Sequence, residues 1–229
     1  MEAFHPLSEI SYYSRPPVGF IVEGRGEFDS YPSLLSKVID ESSLNFPRIN
    51  ARGNGGIIRH LHEHLSDIVK THKPVSVMVT VDLIDLVDEG IFTTCAELLE
   101  ALVFNLNKWA EDNSSFPKYL PFPEKFSVVI QIPKFESWLI ADKRSLCQRG
   151  YINIPDSEEQ WTNVDDEVKN PHKWFHEVSQ QGLDLKQPLV CREIAGCIDI
   201  DVVKTVSPSF DKFYREVRKL YDHWQSKCG

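Results

Sequence analysis

An α/β fold with a mainly parallel central sheet follows from three observations. Residues 18–22, 75–81 and 126–132 are short apolar runs, rich in β-branched side chains and too short for buried helices. Longer segments with apolar residues at helical spacing separate them. The first two runs end in acids, Glu23 and Asp82. Strands alternating with helices imply parallel pairing, with helices on both faces of the sheet.

Residues 1–17 are aromatic and polar, end in Arg15-Pro16-Pro17 and read as an irregular arm. The first strand is residues 18–22. A helix is expected over residues 32–40, with Leu34, Leu35, Val38 and Ile39 on one face and Pro32 in its first turn. Residues 46–50 read as a short edge strand, because Pro47 cannot join a central ladder. Gly53-Asn54-Gly55-Gly56 leads into a helix carrying Ile57, Ile58, Leu61, Leu65, Ile68 and Val69. Residues 75–81, between Pro74 and Asp82, read as a central strand. Thr94 is placed to cap a helix striped with Leu98, Leu99, Leu102, Val103, Leu106 and Trp109. Residues 113–123 contain three prolines and read as a loop, 126–132 as the next strand and 136–146 as one helix.

Beyond Gly150 the pattern weakens. Asn170-Pro171 opens a short helix with Trp174, Phe175 and Val178. Ser207-Pro208 supplies a cap and a first-turn proline for the last helix. That helix collects Phe210, Phe213, Tyr214, Val217, Leu220, Tyr221 and Trp224 on one side and Lys212, Arg215 and Lys219 on the other. The organisation expected is an arm (1–17), an α/β core (18–150) and a C-terminal helical extension packing on it (151–229). There is no internal repeat.

Composition narrows the function classes. With 229 residues and 41% hydrophobic content, the chain can bury a core. No apolar run approaches the roughly 18 residues of a membrane helix, so no membrane partner is expected. The first residues are neither basic nor followed by an apolar stretch, so no secretory leader is expected. Five scattered cysteines without a Cys-x-x-Cys pair argue against a zinc site and for a reduced cytoplasmic setting. A net charge of −9 argues against a dedicated duplex-coating protein, though not against a nuclease with a metal-binding acid cluster.

The chemistry concentrates at the strand ends. Ligands of open α/β sheets bind beyond the carboxyl ends of the strands. Glu23, followed by Gly24 and four residues later by Glu27, is placed there as a metal ligand or general acid/base. The plainer reading is a turn glutamate facing water. Arg25, between Gly24 and Gly26, sits in a fragment of a phosphate-loop pattern. Asp82 and Asp85, with Asp88 behind them, suit Mg²⁺, which takes one or two carboxylates and keeps waters. Aspartates also end strands simply because they make turns. Glu136 follows the third strand and is either a site acid or a first-turn acid favoured by the helix dipole. His60 and His64 share a helix face, but no third ligand is evident, and exposed helix histidines are the better reading. Ser207 and Ser209 have no Ser/His/Asp pattern around them and read as capping residues.

At these residues the chain resembles the Toprim superfamily of topoisomerases, primases and overcoming-lysogenization-defect nucleases. Its members share a strand ending in Glu-Gly and a later strand ending in Asp-x-Asp. More narrowly, it resembles small Toprim-like proteins of bacterial defence loci, often encoded beside AAA or SMC-like ATPases. That likeness rests on Val22-Glu23-Gly24 with Glu27, on Glu136-Ser137-Trp138-Leu139-Ile140-Ala141-Asp142, and on Ser207-Pro208-Ser209-Phe210 with its aromatic-basic helix. The resemblance implies a Toprim-like Rossmannoid sheet and a Mg²⁺- or Mn²⁺-dependent nuclease of anti-phage defence. The family pattern implies Glu23 as acid/base or metal ligand and Asp82 as the first metal aspartate. Joined to the residues read above, the catalytic candidates are Glu23, Glu27, Asp82 and Arg25, and the candidate metal ligands are Glu23, Asp82, Asp85 and Glu136. The expected substrate is nucleic acid and the expected assembly an ATPase complex or oligomer. The second Toprim aspartate would fall at position 84, which is Ile84; Asp85 is one residue further on. Either Asp85 substitutes, or the site is degenerate and the protein is a non-catalytic partner. In that case the aromatics of the arm and of the last helix would form an interface.

Overall fold

The computed structural model describes residues 15–39, 44–88, 90–114, 126–155, 159–180 and 182–228. In chain order the elements are β1 (Val18–Val22), α1 (Arg25–Ile39), β2 (Arg48–Asn50), α2 (Asn54–His72), β3 (Ser76–Asp82), α3 (Leu83–Asp88), α4 (Cys95–Asp112) and β4 (Phe126–Gln131). Seven helices follow: α5 (Phe135–Ile140), α6 (Lys143–Gln148), α7 (Val164–Glu167), α8 (Pro171–Val178), α9 (Pro188–Cys197), α10 (Ile200–Val206) and α11 (Pro208–Cys228). Residues 1–14 of the arm and 115–125 of the proline-rich loop lie outside the described residues.

The sheet is parallel throughout, in the order β2-β1-β3-β4. The chain moves outward from β1 to β2, then returns across β1 to β3. The order therefore reverses between β1 and β3, and a crevice opens at such a reversal, beyond the carboxyl ends of the two strands. All three expected strands form, and residues 48–50 make the expected edge strand with Pro47 just outside it.

Alternation along the strands divides the core in two. Ile21, Val77, Val79, Val81, Val128 and Ile130 pack under α2 and α4. Phe20, Val22, Met78 and Val129 pack under α1, α9 and α11. The C-terminal helices thus complete one outer layer of the sandwich. Trp138 of α5 is fully buried between Phe210 (5.2 Å between ring centroids) and Phe213 (5.0 Å) of α11. Such pairs add about 0.5–1.5 kcal/mol beyond their buried area. The aromatic face of the last helix is therefore core rather than an interface: Phe210, Phe213, Leu220 and Tyr221 are all buried.

Two expected helices differ in detail. α1 begins at Arg25, directly after the β1 turn, so Pro32 lies inside it rather than in its first turn. An interior proline lacks the N–H that would bond the Phe28 carbonyl. Here the Arg48 Nε of neighbouring β2 donates to that carbonyl at 3.0 Å, while the Arg48 guanidinium stacks 5.0 Å from the Phe28 ring. The tertiary contact replaces the missing helical bond. The segment 136–146 forms two helices, because the Asp142 side chain accepts from the Ser145 amide at 3.1 Å and starts α6 afresh. Gly56 is required by packing: a Cβ there would fall 1.9 Å from the Ala51 carbonyl oxygen. No helix among the described residues is long and apolar enough to cross a membrane.

The Arg48 bond can be tested by a double-mutant cycle. Arg48→Met is expected to cost about 1–3 kcal/mol in urea unfolding by leaving a half-buried carbonyl unpaired. In a Pro32→Ala background the restored helical N–H should make the same change cost less. Equal costs in both backgrounds would refute the substitution of one bond for the other.

Candidate active site

The four strand tips are tied together by polar contacts. The Gly53 amide, beyond β2, donates to the Glu23 carbonyl at 2.9 Å. The Asp82 amide at the end of β3 donates to Glu23 Oε2 at 3.0 Å. The Phe135 amide, beyond β4, donates to Asp82 Oδ1 at 2.8 Å. Glu27, in the first turn of α1, folds back so that Oε2 accepts from the Gly24 amide at 2.6 Å. Glu23, Glu27 and Asp82 are only 9%, 4% and 6% exposed, which places three carboxylates in the interior of one crevice.

Burial and proximity set their protonation. Burial, then the Glu23 charge, pushes Glu27 well above its ordinary range; the Glu136 charge adds to this, and the Gly24 amide opposes it. Burial likewise raises Asp82, followed by the charges of Glu23, Glu136 and Glu27. Glu27 Oε1 and Glu136 Oε2 are buried without a hydrogen-bond partner. A polar line continues beneath the acids. Tyr31 donates to Thr80 Oγ1 at 2.9 Å, and Gln131 Nε2 lies 3.4 Å from the Tyr31 hydroxyl. Burial, then the Glu27 charge, holds the Tyr31 hydroxyl above its usual range, so it stays a proton donor.

Glu23, Glu27, Asp82 and Glu136 are thus brought together. Asp85 lies in the first turn of α3, and its side chain and that of Asp88 are outside the described residues. Arg25 is exposed and engaged by Asp29 at 2.8 Å, with its guanidinium over Phe28. No third ligand joins the His60 and His64 pair among the described residues. His60 pairs with Glu63 at 3.1 Å, half-buried His62 lies 3.1 Å from the Asn105 carbonyl, and the His60 and His64 rings meet edge-on. Ser207 caps α11 through the Phe210 amide and donates to buried Asp165 at 2.7 Å.

Three participants escaped the sequence reading. His172 of α8 places Nε2 3.3 Å from Glu136 Oε1, and Gln131 and Tyr31 line the floor. Only the Asn170-Pro171 helix start hinted at the first.

The donor set is hard oxygen alone, crowded with like charge and carrying two unpartnered buried oxygens. That fits a hard divalent cation held by one or two carboxylates and otherwise by water. Among the described residues, no group of three or more His, Cys, Asp or Glu side chains is placed so that it could hold a metal ion. A groove lined by Lys37, Ile198, Asp199, Tyr214 and Arg218 lies elsewhere, ten residues along α1 from Glu27, or about 15 Å at 1.5 Å per residue.

A family model described as "Domain of unknown function (DUF4276)" matches residues 22–218. The chain belongs to the DUF4276 family. The matched span opens at the last residue of β1 and ends within α11, so it contains the whole acidic crevice and the C-terminal helices beside it. No curated protein and no solved structure matches the chain.

The crowding has a measurable consequence in cation-free protein. The folded values of Glu27 and Asp82 are raised, so the fold retains protons that the unfolded chain releases. Stability therefore falls as pH rises through the window above the ordinary values of 4.5 and 3.8. Glu27→Gln keeps an acceptor for the Gly24 amide and removes the charge. In EDTA it should melt higher than wild type at pH 8, by about 2–4 °C per kcal/mol of repulsion relieved, with little gain at pH 4. Equal melting at pH 8 would show that the acids do not repel.

Proposed function

We propose that this DUF4276 protein is a Mg²⁺- or Mn²⁺-dependent enzyme that processes phosphodiesters of nucleic acid, as the Toprim resemblance implies. The observation that carries the proposal is the Glu23–Asp82 contact at the sheet's reversal point, which brings two buried carboxylates to the edge where such sheets bind ligands. Glu23 and Asp82 would hold the cation, with Glu136 beside them and Asp85, three residues beyond Asp82, as the remaining acid of the set. When bound, the cation supplies charge stabilisation to the phosphoryl oxygens and removes the repulsion among the acids.

The side chains have separable tasks. The Phe135 amide orients Asp82, and the Asp82 amide orients Glu23. Glu27, raised above its ordinary range beside Glu23, can store a proton and return it to a leaving oxygen. Arg25, at the rim, and exposed Arg52 and Arg59, near the glycine turn after β2, offer positive charge to a phosphate backbone.

The protein is proposed to act in the cytoplasm with an AAA or SMC-like ATPase, in anti-phage defence. The chain holds no complete Gly-x-x-x-x-Gly-Lys-Ser/Thr loop, and its charge of −9 gives little affinity for duplex of its own. The basic strip of α11 is partly neutralised, with Arg215 on Asp211 at 2.8 Å and Lys219 3.9 Å from Glu216.

The test is an assay with Mg²⁺ or Mn²⁺ on plasmid, single-stranded DNA, RNA and tRNA, with and without any co-encoded ATPase. Cation-dependent cleavage is expected. Glu23→Gln, which removes a ligand of the cation, should abolish it, and Glu27→Gln should lower it by about 10²–10⁴-fold, the usual contribution of a general acid/base. Cleavage unchanged in Glu23→Gln would exclude the proposed site; a cation-independent role in the assembled complex would make the chain a non-catalytic partner.

A further inference from the structure

We propose that His172 is the positioning residue of the acidic site, fixing Glu136 so that its free oxygen faces a bound cation. The inference rests on the cation-site reading above.

His172 Nε2 lies 3.3 Å from Glu136 Oε1. The two groups lie within ion-pair reach of each other. That contact occupies one oxygen and leaves the other, Oε2, buried and without a hydrogen-bond partner. Glu136 directly follows Phe135, whose amide holds Asp82 Oδ1 at 2.8 Å, so the oriented carboxylate sits one residue from the anchor of the central acid. On its other side, Nδ1 is buried without a hydrogen-bond partner, 3.9 Å from Asp184 Oδ1 in the turn before α9.

The scaffold behind this contact is rigid. Asn170 caps α8 by accepting from the Lys173 amide at 2.9 Å, Pro171 opens the helix, and Phe175 one turn beyond His172 is fully buried. A metal-ligating carboxylate is ordinarily held by an outer polar partner, and losing such a partner weakens metal binding about 10–100-fold. The C-terminal region thereby supplies an orienting group to a site whose acids come from the strand edge.

The experiment is Mn²⁺ titration of the whole chain followed by electron paramagnetic resonance, with melting temperature measured in parallel. H172A should bind Mn²⁺ about 10–100-fold more weakly than wild type. H172Q, whose amide can reach Glu136 Oε1, should recover much of that loss, and H172N, with a shorter reach, should not. The two amides carry the comparison even if the alanine variant fails to fold. Wild-type affinity in H172A and H172N would overturn the inference while leaving the cation site standing. Equal weakening in H172Q and H172N that tracks lost melting temperature would also overturn it, by making the role merely structural. A wild type that binds no Mn²⁺ would contradict both the inference and the reading beneath it.

Discussion

The stitching of the strand tips is the constraint on which the rest depends. Strands of a parallel sheet end on one edge, and the amides just beyond that edge have no further ladder partner. Glu23 and Asp82 take two of these amides with their side chains, each reaching across to the neighbouring strand. The bonds align the tips and draw carboxylates into the interior, where desolvation disfavours their charge. The same contacts that order the sheet edge thus create an acidic crevice with raised proton affinity.

The C-terminal third is bound to this edge through the core. Asp165, at the start of α7, accepts from the Ser207 hydroxyl and the Ser209 amide, each at 2.7 Å. Ser209 Oγ in turn accepts from the Trp138 indole at 2.8 Å. Trp138 lies two residues after Glu136, so this buried network anchors the short helix that carries a site acid. The Ser-Pro-Ser segment is therefore structural, and its effect on chemistry would be exerted through α5.

Strand positions were legible because short β-branched runs between polar punctuation have few alternatives. The placement of Glu23 and Asp82 at strand ends followed directly. Less legible was anything governed by contacts distant in sequence. The start of α1 was expected at Pro32, where a first-turn proline is tolerated, but lies at Arg25; the Arg48 bond to Phe28 that offsets the now interior proline comes from another strand. The break before α6 depended on the Asp142 cap, which competes with an otherwise continuous apolar pattern. Helices α7, α9 and α10 are four, ten and seven residues long, too short for periodicity to stand out. His172 acquires meaning only when α8 meets α5, and Tyr31 and Gln131 read as core and strand residues until the fold sets them beneath the acids.

The central claim is that the buried acids of the strand edge form one cation site. Anomalous diffraction from crystals soaked in Mn²⁺ tests it most directly. The account predicts a single strong peak between the Glu23 and Asp82 carboxylates, with ligand oxygens at about 2.0–2.3 Å, and its loss in Asp82→Asn crystals. A fully occupied Mn²⁺ elsewhere with none at this edge, or an edge that stays metal-free at saturating Mn²⁺ and pH 8, would contradict it.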